Sequence, residues 1–454
     1  VAYDAFVAVM EEKRRPEDIL EHFYDQYDQK LRRLDRNFIK EILYGSLRWY
    51  SKLYWILQNT SNRNLDDSTP EIRAALVVGT YQIYYMDRVP DRAAVNESVE
   101  YIRKKGQASA CSFVNGILRQ IARRSKYFQK PDSKTHPVEY LSLQYAHPEW
   151  LIKRWVEQFR FEKLETLLSA NNKPPPYSIR VNVRKTEVSQ LHLLQQQLLR
   201  DESIHSEKSH LRTALRLKEA PVLGEGSLFA QGFYTIQDEA SQLIGHLVNP
   251  EEGQTILDAC SGPGGKLSHI CELGQGKIRL TAVEKSFDQI EKAKKTMVRL
   301  GFQDEVTFIH QDFLEWQPNP EDPPIDKILL DAPCSGLGVL RRHPEGKWQK
   351  NHDLIPSMVE QQNLLIQKTL KLLKVGGELI YSVCSFEPEE SEVHLKMLQQ
   401  KYGAKIEILS PVSRLPDYYK RYVTRKNLLT IYGGNQDDMD GFAAFIIKIK
   451  EPLG

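Results

Sequence analysis

The sequence predicts a multi-domain protein: an all-α N-terminal domain, a small α/β subdomain, and a larger α/β domain on a parallel, doubly wound sheet. Three observations carry this expectation. Apolar residues recur every three or four positions up to about residue 130, the period of an amphipathic helix. The stretch that follows mixes a helical pattern, a proline run and a short strand. From Gly232 onward, β-like apolar runs alternate with amphipathic helices, the order that builds a parallel sheet covered on both faces. A chain of 454 residues is also too long for one hydrophobic core of ordinary size.

The same signals place the domains at residues 1–137, 138–231 and 232–454. In the first, residues 74–86, 93–105 and 112–124 read as helices; Pro90 and Asp91 separate the first two and Gly106 ends the second. The third carries an apolar stripe of Phe113, Ile117 and Ile121 and a basic end. Residues 126–137 are polar and read as a linker. A helix over about 150–170, prolines at 174–176 and a strand at 178–183 make up the small subdomain. Strands of the large domain are expected at 255–260, 279–284, 306–312, 327–333, 378–384 and 442–449.

Composition excludes several function classes. Hydrophobic residues at 41% and charged residues at 27% fit a soluble globular protein. No run approaches the roughly 20 apolar residues needed to span a bilayer, and residues 1–30 carry charges throughout, so neither a membrane span nor a signal peptide is expected and the location is read as cytoplasmic. The five cysteines, Cys111, Cys260, Cys271, Cys334 and Cys384, are odd in number, widely spaced and without a CxxC pair. That argues against a disulfide framework and against a metal site, and leaves reduced thiols for packing or catalysis. A net charge of +2 does not identify a partner, but residues 101–130 hold eight Lys or Arg and no Asp or Glu, a local basic surface of the kind that contacts nucleic-acid phosphates.

The segment Asp258-Ala-Cys260-Ser261-Gly262-Pro263-Gly264-Gly265-Lys266 follows an expected strand and opens an expected helix, so its glycines fall where the backbone turns tightly and meets a ligand. The spacing is neither the GxGxxG of dinucleotide sites nor a P-loop, because Leu267 follows Lys266. Glu284 ends the second strand, where a carboxylate can accept hydrogen bonds from both hydroxyls of a ribose; Asp312 and Asp331 end the third and fourth. Any one of these acids reads as a cap or loop residue, but together they make one sheet rim a site for a nucleoside-containing ligand. Cys334 and Cys384 leave strands into loops on that rim, whereas Cys111 and Cys271 sit on expected helices and read as packing.

The segments DACSGPGGK, DAPCSGLGVLRRHPEGKW and GGELIYSVCSFEPEES resemble the motifs of the RNA cytosine-C5 methyltransferase family in order and spacing. The resemblance implies a Rossmann-like domain that uses S-adenosyl-L-methionine, bound by residues 260–266, Glu284, Asp312 and Asp331. It implies further that Cys384 attacks carbon 6 of the base, that Cys334 assists product release, that Asp331 faces the cytosine N3/N4 edge and that Lys266 lies near the reacting ring. Ser261 and Gly262 stand where alanines are common, Val383 where Thr is usual and Glu284 where Asp is usual; no reacting group is lost. QDEASQ (237–242), RVNVRKT (180–186, the small RNA-facing subdomain) and DGF (440–442) extend the likeness, and the N-terminal segments at 35–48, 93–106 and 112–121 are similar to the NusB antitermination fold. The combination is similar to the bacterial 16S ribosomal RNA methyltransferases of that family, with small-subunit ribosomal RNA as partner, no membrane, no DNA and a monomeric state implied.

Other readings stay open at this level. A transfer RNA substrate would use the same motifs. A DNA cytosine methyltransferase would use Cys334 as nucleophile, and a binding protein could keep the fold without activity. Arg341, Arg342 and His343, in the loop after Cys334, are expected to hold the RNA backbone.

Overall fold

The computed structural model describes residues 1–27, 31–123 and 131–453 and forms two compact units. One comprises Val1–Pro174 with Leu340–His352; the other comprises Pro175–Val339 with Asp353–Gly454. Arg124 and residues 126–130, parts of the expected basic run and linker, lie outside the described residues.

The first unit is helical, as its periodicity predicts. The helix Pro70–Tyr85 starts where the Thr69 hydroxyl accepts from the Ile72 amide at 3.4 Å and Pro70 supplies a preset first turn. It runs through the core with Leu76, Val77 and Val78 fully buried. The helix Asp91–Lys104 and the helix Cys111–Arg123 pack beside it, the latter burying Val114, Ile117, Leu118 and Ile121. The single helix expected over 150–170 is two, Glu149–Gln158 and Phe161–Asn171, with Arg160 extended between them. On a continuous helix Leu164 would point about 180° away from Trp155, nine residues earlier. The break lets both side chains reach the core, where each is fully buried.

The segment Leu340–His352 belongs to this helical unit and is held there by polar contacts. The fully buried Lys347 ammonium donates to Arg48 O (3.2 Å), Ala146 O (3.1 Å) and Asn172 Oδ1 (2.6 Å), and Trp348 Nε1 donates to Leu47 O at 2.6 Å. Burial, then the positive charge of Arg48, push that lysine well below the ordinary range.

The second unit contains two sheets. A four-stranded antiparallel sheet has the order β2-β3-β1-β4, with β1 Tyr177–Val181, β2 Ser206–Lys208, β3 Ala214–Leu217 and β4 Tyr234–Ile236. The large sheet comprises β5 Thr255–Asp258, β6 Arg279–Glu284, β7 Val306–His310, β8 Ile325–Asp331, β9 Leu373–Val383, β10 Ile406–Leu409, β11 Leu429–Ile431 and β12 Phe442–Ile449. Its order is β10-β12-β9-β8-β5-β6-β7, with β11 also on β12. Strands β5 to β9 pair in parallel, and residues 328–330 of β8 and 379–381 of β9 form apolar runs that are fully buried. The sequence reading made the last strand part of the parallel set; β12 instead runs antiparallel to β9, β10 and β11. Only a short loop joins β11 to β12, and a parallel return needs a crossover of a dozen or more residues.

Candidate active site

In the large sheet the chain moves outward from β5 to β6 and β7, then returns to the other side of β5 to lay down β8 and β9. The carboxyl ends of β5 and β8 therefore flank the point where the order reverses, the place where open α/β sheets leave a crevice. The glycine-rich segment leaves β5 there and the Cys334 segment leaves β8.

The turn after β5 depends on its glycines. Gly262 and Gly264 have φ of +52° and +86°, and a Cβ on Gly264 would meet the Ala293 Cβ at 3.1 Å. Gly264 caps the helix Gly265–Gly274, and the turn is closed by Gly264 N donating to Ser261 O at 3.2 Å. Beside Gly262 there is open space. Glu284 braces the turn from β6: Oε2 accepts from Gly262 N at 3.0 Å and Oε1 from Ser286 N at 2.9 Å, which leaves each oxygen a second lone pair. Asp312 accepts from Leu314 N at 2.8 Å through Oδ1.

Under the turn lies Asp258, 1% exposed, with both carboxylate oxygens lacking a partner at hydrogen-bond geometry. Burial, then the negative charge of Asp331, push its pKa up to about 8. The Ser261 hydroxyl is likewise buried and unpartnered. The carboxylates of Glu284 and Asp331 beside the turn repel phosphate and attract a cation.

Lys266, on the first turn of that helix, spans the crevice. Its Nζ lies 2.5 Å from Asp331 Oδ2 and 5.1 Å from the Phe442 ring centroid. Burial works against its charge, but Asp331 beside it outweighs this and holds the ammonium above the ordinary lysine range. The other Asp331 oxygen accepts from the Ser382 hydroxyl at 2.7 Å. Asp331 thus has its position fixed from two sides.

The cysteine loops leave adjacent parallel strands, β8 and β9, and bring Cys334 Sγ and Cys384 Sγ to 3.3 Å. Both are partly accessible. The Cys384 sulfur hydrogen-bonded to it, its burial and the Glu390 carboxylate push the Cys334 thiol well above the ordinary cysteine range. Gly338 N donates to Cys384 O at 3.1 Å, and a Cβ on Gly338 would lie 2.1 Å from Gly441 O. Only glycine permits that approach of three chain segments.

The structure thus brings Asp258, the glycine turn, Glu284, Lys266, Asp331, Cys334 and Cys384 to one rim. Cys260 is half-buried there, its thiol pushed up by burial and then by Asp258. Cys271 is buried in the core and Cys111 hydrogen-bonds Val99 O at 3.7 Å, in keeping with packing roles. Arg341 does not face solvent: it is 2% exposed and donates to Pro174 O at 3.2 Å. His343 Nδ1 lies 3.4 Å from Glu345 Oε1. Arg180, expected in an RNA-facing segment, is also fully buried. It donates to Glu272 Oε2 (3.2 Å), Gly265 O (3.0 Å), Ser268 Oγ (2.7 Å) and Gln237, so it braces the helix that carries Lys266. An arginine between Ile179 and Val181 in a strand was the available signal for a buried pair. Ser335, Ser382, Ser385 and Glu390 were also passed over; their signal is a small polar residue beside each reacting group and an acidic run after Cys384.

The chain is similar to known proteins over nearly its full length. The family model described as 16S rRNA methyltransferase RsmB/F matches residues 245–449, the NusB family model residues 1–123, and the RsmF/B-like ferredoxin-like domain residues 147–223. A probable ribosomal RNA small subunit methyltransferase B of Bacillus subtilis is 33% identical over 423 residues, covering 92% of this chain and 91% of its own. The ribosomal RNA small subunit methyltransferase B of Pseudomonas putida is 31% identical and covers 99% of this chain and 98% of its own. Among solved structures, PH0851 superposes with a TM-score of 0.81 at 22% identity over 98% of both chains, a likeness of fold. NSun6 from Pyrococcus horikoshii with SFG gives 0.55 at 19% identity over 67% of this chain and 98% of its own. With a NusB-like helical domain, a ferredoxin-like domain and a methyltransferase domain matched in order, and relatives alike over nearly the full length, the chain belongs to the 16S rRNA methyltransferase RsmB/F family.

Proposed function

We propose that this methyltransferase modifies carbon 5 of a cytosine in small-subunit ribosomal RNA through a covalent bond between Cys384 and carbon 6. The observation that carries the proposal is the pair of sulfurs 3.3 Å apart on the rim that also holds the Lys266–Asp331 pair. Carbon 5 is a poor nucleophile until a thiolate adds to carbon 6 and turns the ring into an enamine.

The cofactor is S-adenosyl-L-methionine, which supplies an electrophilic methyl group on a sulfonium. The rim fits it. The acidic surroundings of the turn suit a cationic ligand, and the spare lone pairs of Glu284 suit ribose hydroxyls. Residues 260–266, Glu284, Asp312 and Asp331 would hold it.

The residues then divide the work. Cys334 retains its proton and can donate it toward the neighbouring sulfur, which favours thiolate at Cys384. The Lys266 ammonium, within electrostatic reach of Cys384, acts the same way. The Cys384 thiolate adds to carbon 6. Asp331, fixed by Lys266 and Ser382, faces the N3/N4 edge and orients the ring. After methyl transfer to carbon 5, water takes the carbon 5 proton. The electrons of that C–H bond restore the C5–C6 double bond and expel the Cys384 thiolate from carbon 6, and the Cys334 thiol assists by donating a hydrogen bond to the departing sulfur. Such access requires the cytosine to be unstacked or flipped out.

We read the chain as three domains at 1–137, 138–231 and 232–454, acting as a monomer in the cytoplasm. No helix among the described residues is long and apolar enough to cross a membrane. The test is methylation of purified 16S ribosomal RNA and transfer RNA by the full chain, followed by bisulfite sequencing. One protected cytosine in the ribosomal RNA is expected; protection only in transfer RNA would move the proposal to the other substrate, and labelled product without any protected cytosine would end the carbon 5 assignment.

A further inference from the structure

The two cysteines lie on separate loops, and something must fix their separation. Glu390, six residues after Cys384 and fully buried, reaches across to the loop of Cys334. Its Oε1 accepts from Ser335 N at 2.7 Å and from Gln362 Nε2 at 3.1 Å; its Oε2 accepts from Ser335 Oγ at 2.5 Å. Its own backbone is held by the Tyr381 hydroxyl, which donates to Glu390 O at 2.9 Å.

The partners are themselves anchored. Gln362, from the helix Leu354–Leu372, also donates to Pro333 O at 2.8 Å, and its Oε1 accepts from His394 Nε2 at 2.8 Å. The Ser335 and Ser385 hydroxyls, each on the residue after a cysteine, lie 3.2 Å apart. A buried carboxylate without such donors would be strongly unfavourable, and with them it becomes a rigid clamp.

We propose that Glu390 is a positioning residue that locks the Cys334 and Cys384 loops in register and so sets the spacing of the two sulfurs. This rests on the assignment of the two cysteines to attack and release. Its negative charge also bears on Cys334, whose thiol it helps to keep protonated.

The test uses the full-length chain with Glu390→Gln, which keeps the volume but presents an amide to Ser335. A displacement of about 1 Å in a reacting group can cost about 100-fold in rate, so kcat should fall about 10- to 100-fold, while cofactor affinity and melting temperature change little. In a Cys384→Ala background, Glu390→Gln should shift the pH profile of Cys334 alkylation by iodoacetamide, read on the Cys334 peptide by mass spectrometry, to lower pH. Turnover within about twofold of wild type, or an unshifted profile, overturns the proposal. So does a loss of activity that only follows a fall in melting temperature. If Cys384→Ala itself forms an RNA adduct, the nucleophile assignment fails, and the alkylation profile still decides the role of Glu390.

Discussion

The glycine-rich turn and the cysteine loops share one rim of the large sheet but are finished in opposite ways. At the turn, polar groups stay open: both oxygens of Asp258 and the Ser261 hydroxyl are buried without partners. At the cysteine loops the chain closes its own network, with each Glu390 oxygen accepting from Ser335 and Gln362 also tied to Pro333. The protein completes the second region, and on the proposed function a ligand would complete the first. Binding energy should therefore reside in the turn and reaction geometry in the loops.

The largest effect should come from the loops. Cys384→Ala should lower methylation by about 10⁴-fold or more, because no adduct can form, yet leave cofactor binding nearly intact. Cys334→Ala should still attack and methylate but fail to release. A denaturing gel with labelled RNA should show a band that survives SDS for Cys334→Ala and none for Cys384→Ala. The reverse pattern would make Cys334 the nucleophile.

The turn should respond in binding instead. Glu284→Ala removes the carboxylate that braces Gly262 and that we propose accepts from the ribose, and should weaken S-adenosyl-L-methionine by about 1–3 kcal/mol. Unchanged affinity by calorimetry would break the division between the two regions.

The same contrast explains what the sequence made legible. The turn was readable because its requirements are local: glycines at positive φ and an acid at a strand end are visible within a few residues. Cys334 and Cys384 were readable as strand-end thiols. Glu390 was not, because its meaning lies in a contact with Ser335, 55 positions earlier. Arg180 misled for the same reason, since the basic sequence RVNVRKT reads as surface while the side chain is enclosed by Glu272, Ser268 and Gly265. The antiparallel β12 escaped notice because apolar strands buried on both faces read alike in either direction.

The open state of Asp258 has a consequence for stability. Its pKa is raised to about 8 from an unfolded value of about 3.9. The folded form therefore binds the proton more tightly, and the stabilisation is fully present below about pH 4 and is lost as pH rises through about 8. Relative to Asp258→Asn, which carries no titrating group there, the wild type should lose melting temperature across that window by several degrees in the absence of cofactor. Parallel pH profiles for the two proteins would mean that this carboxylate is not held in the strained state the turn implies.

The smallest effect is expected at the exposed arginines of the helical unit, which lie outside its buried networks. On the helix Cys111–Arg123, Ile117 and Ile121 face the core, while Arg119 and Arg123, one turn apart, are exposed and form no ion pair among the described residues. Other cations of the same basic run are neutralised, Arg103 by Glu100 and Lys105 by Asp4 at 2.8 Å. If Arg119 and Arg123 contact phosphates, each releases counterions on binding, so changing both to Ala should weaken RNA binding uniformly and lower the slope of log K against log salt by about 1.5. An unchanged slope would leave them as solvated surface. A change in kcat at saturating RNA would show that the helical unit also shapes the reaction, against the separation of binding from geometry seen along the rim.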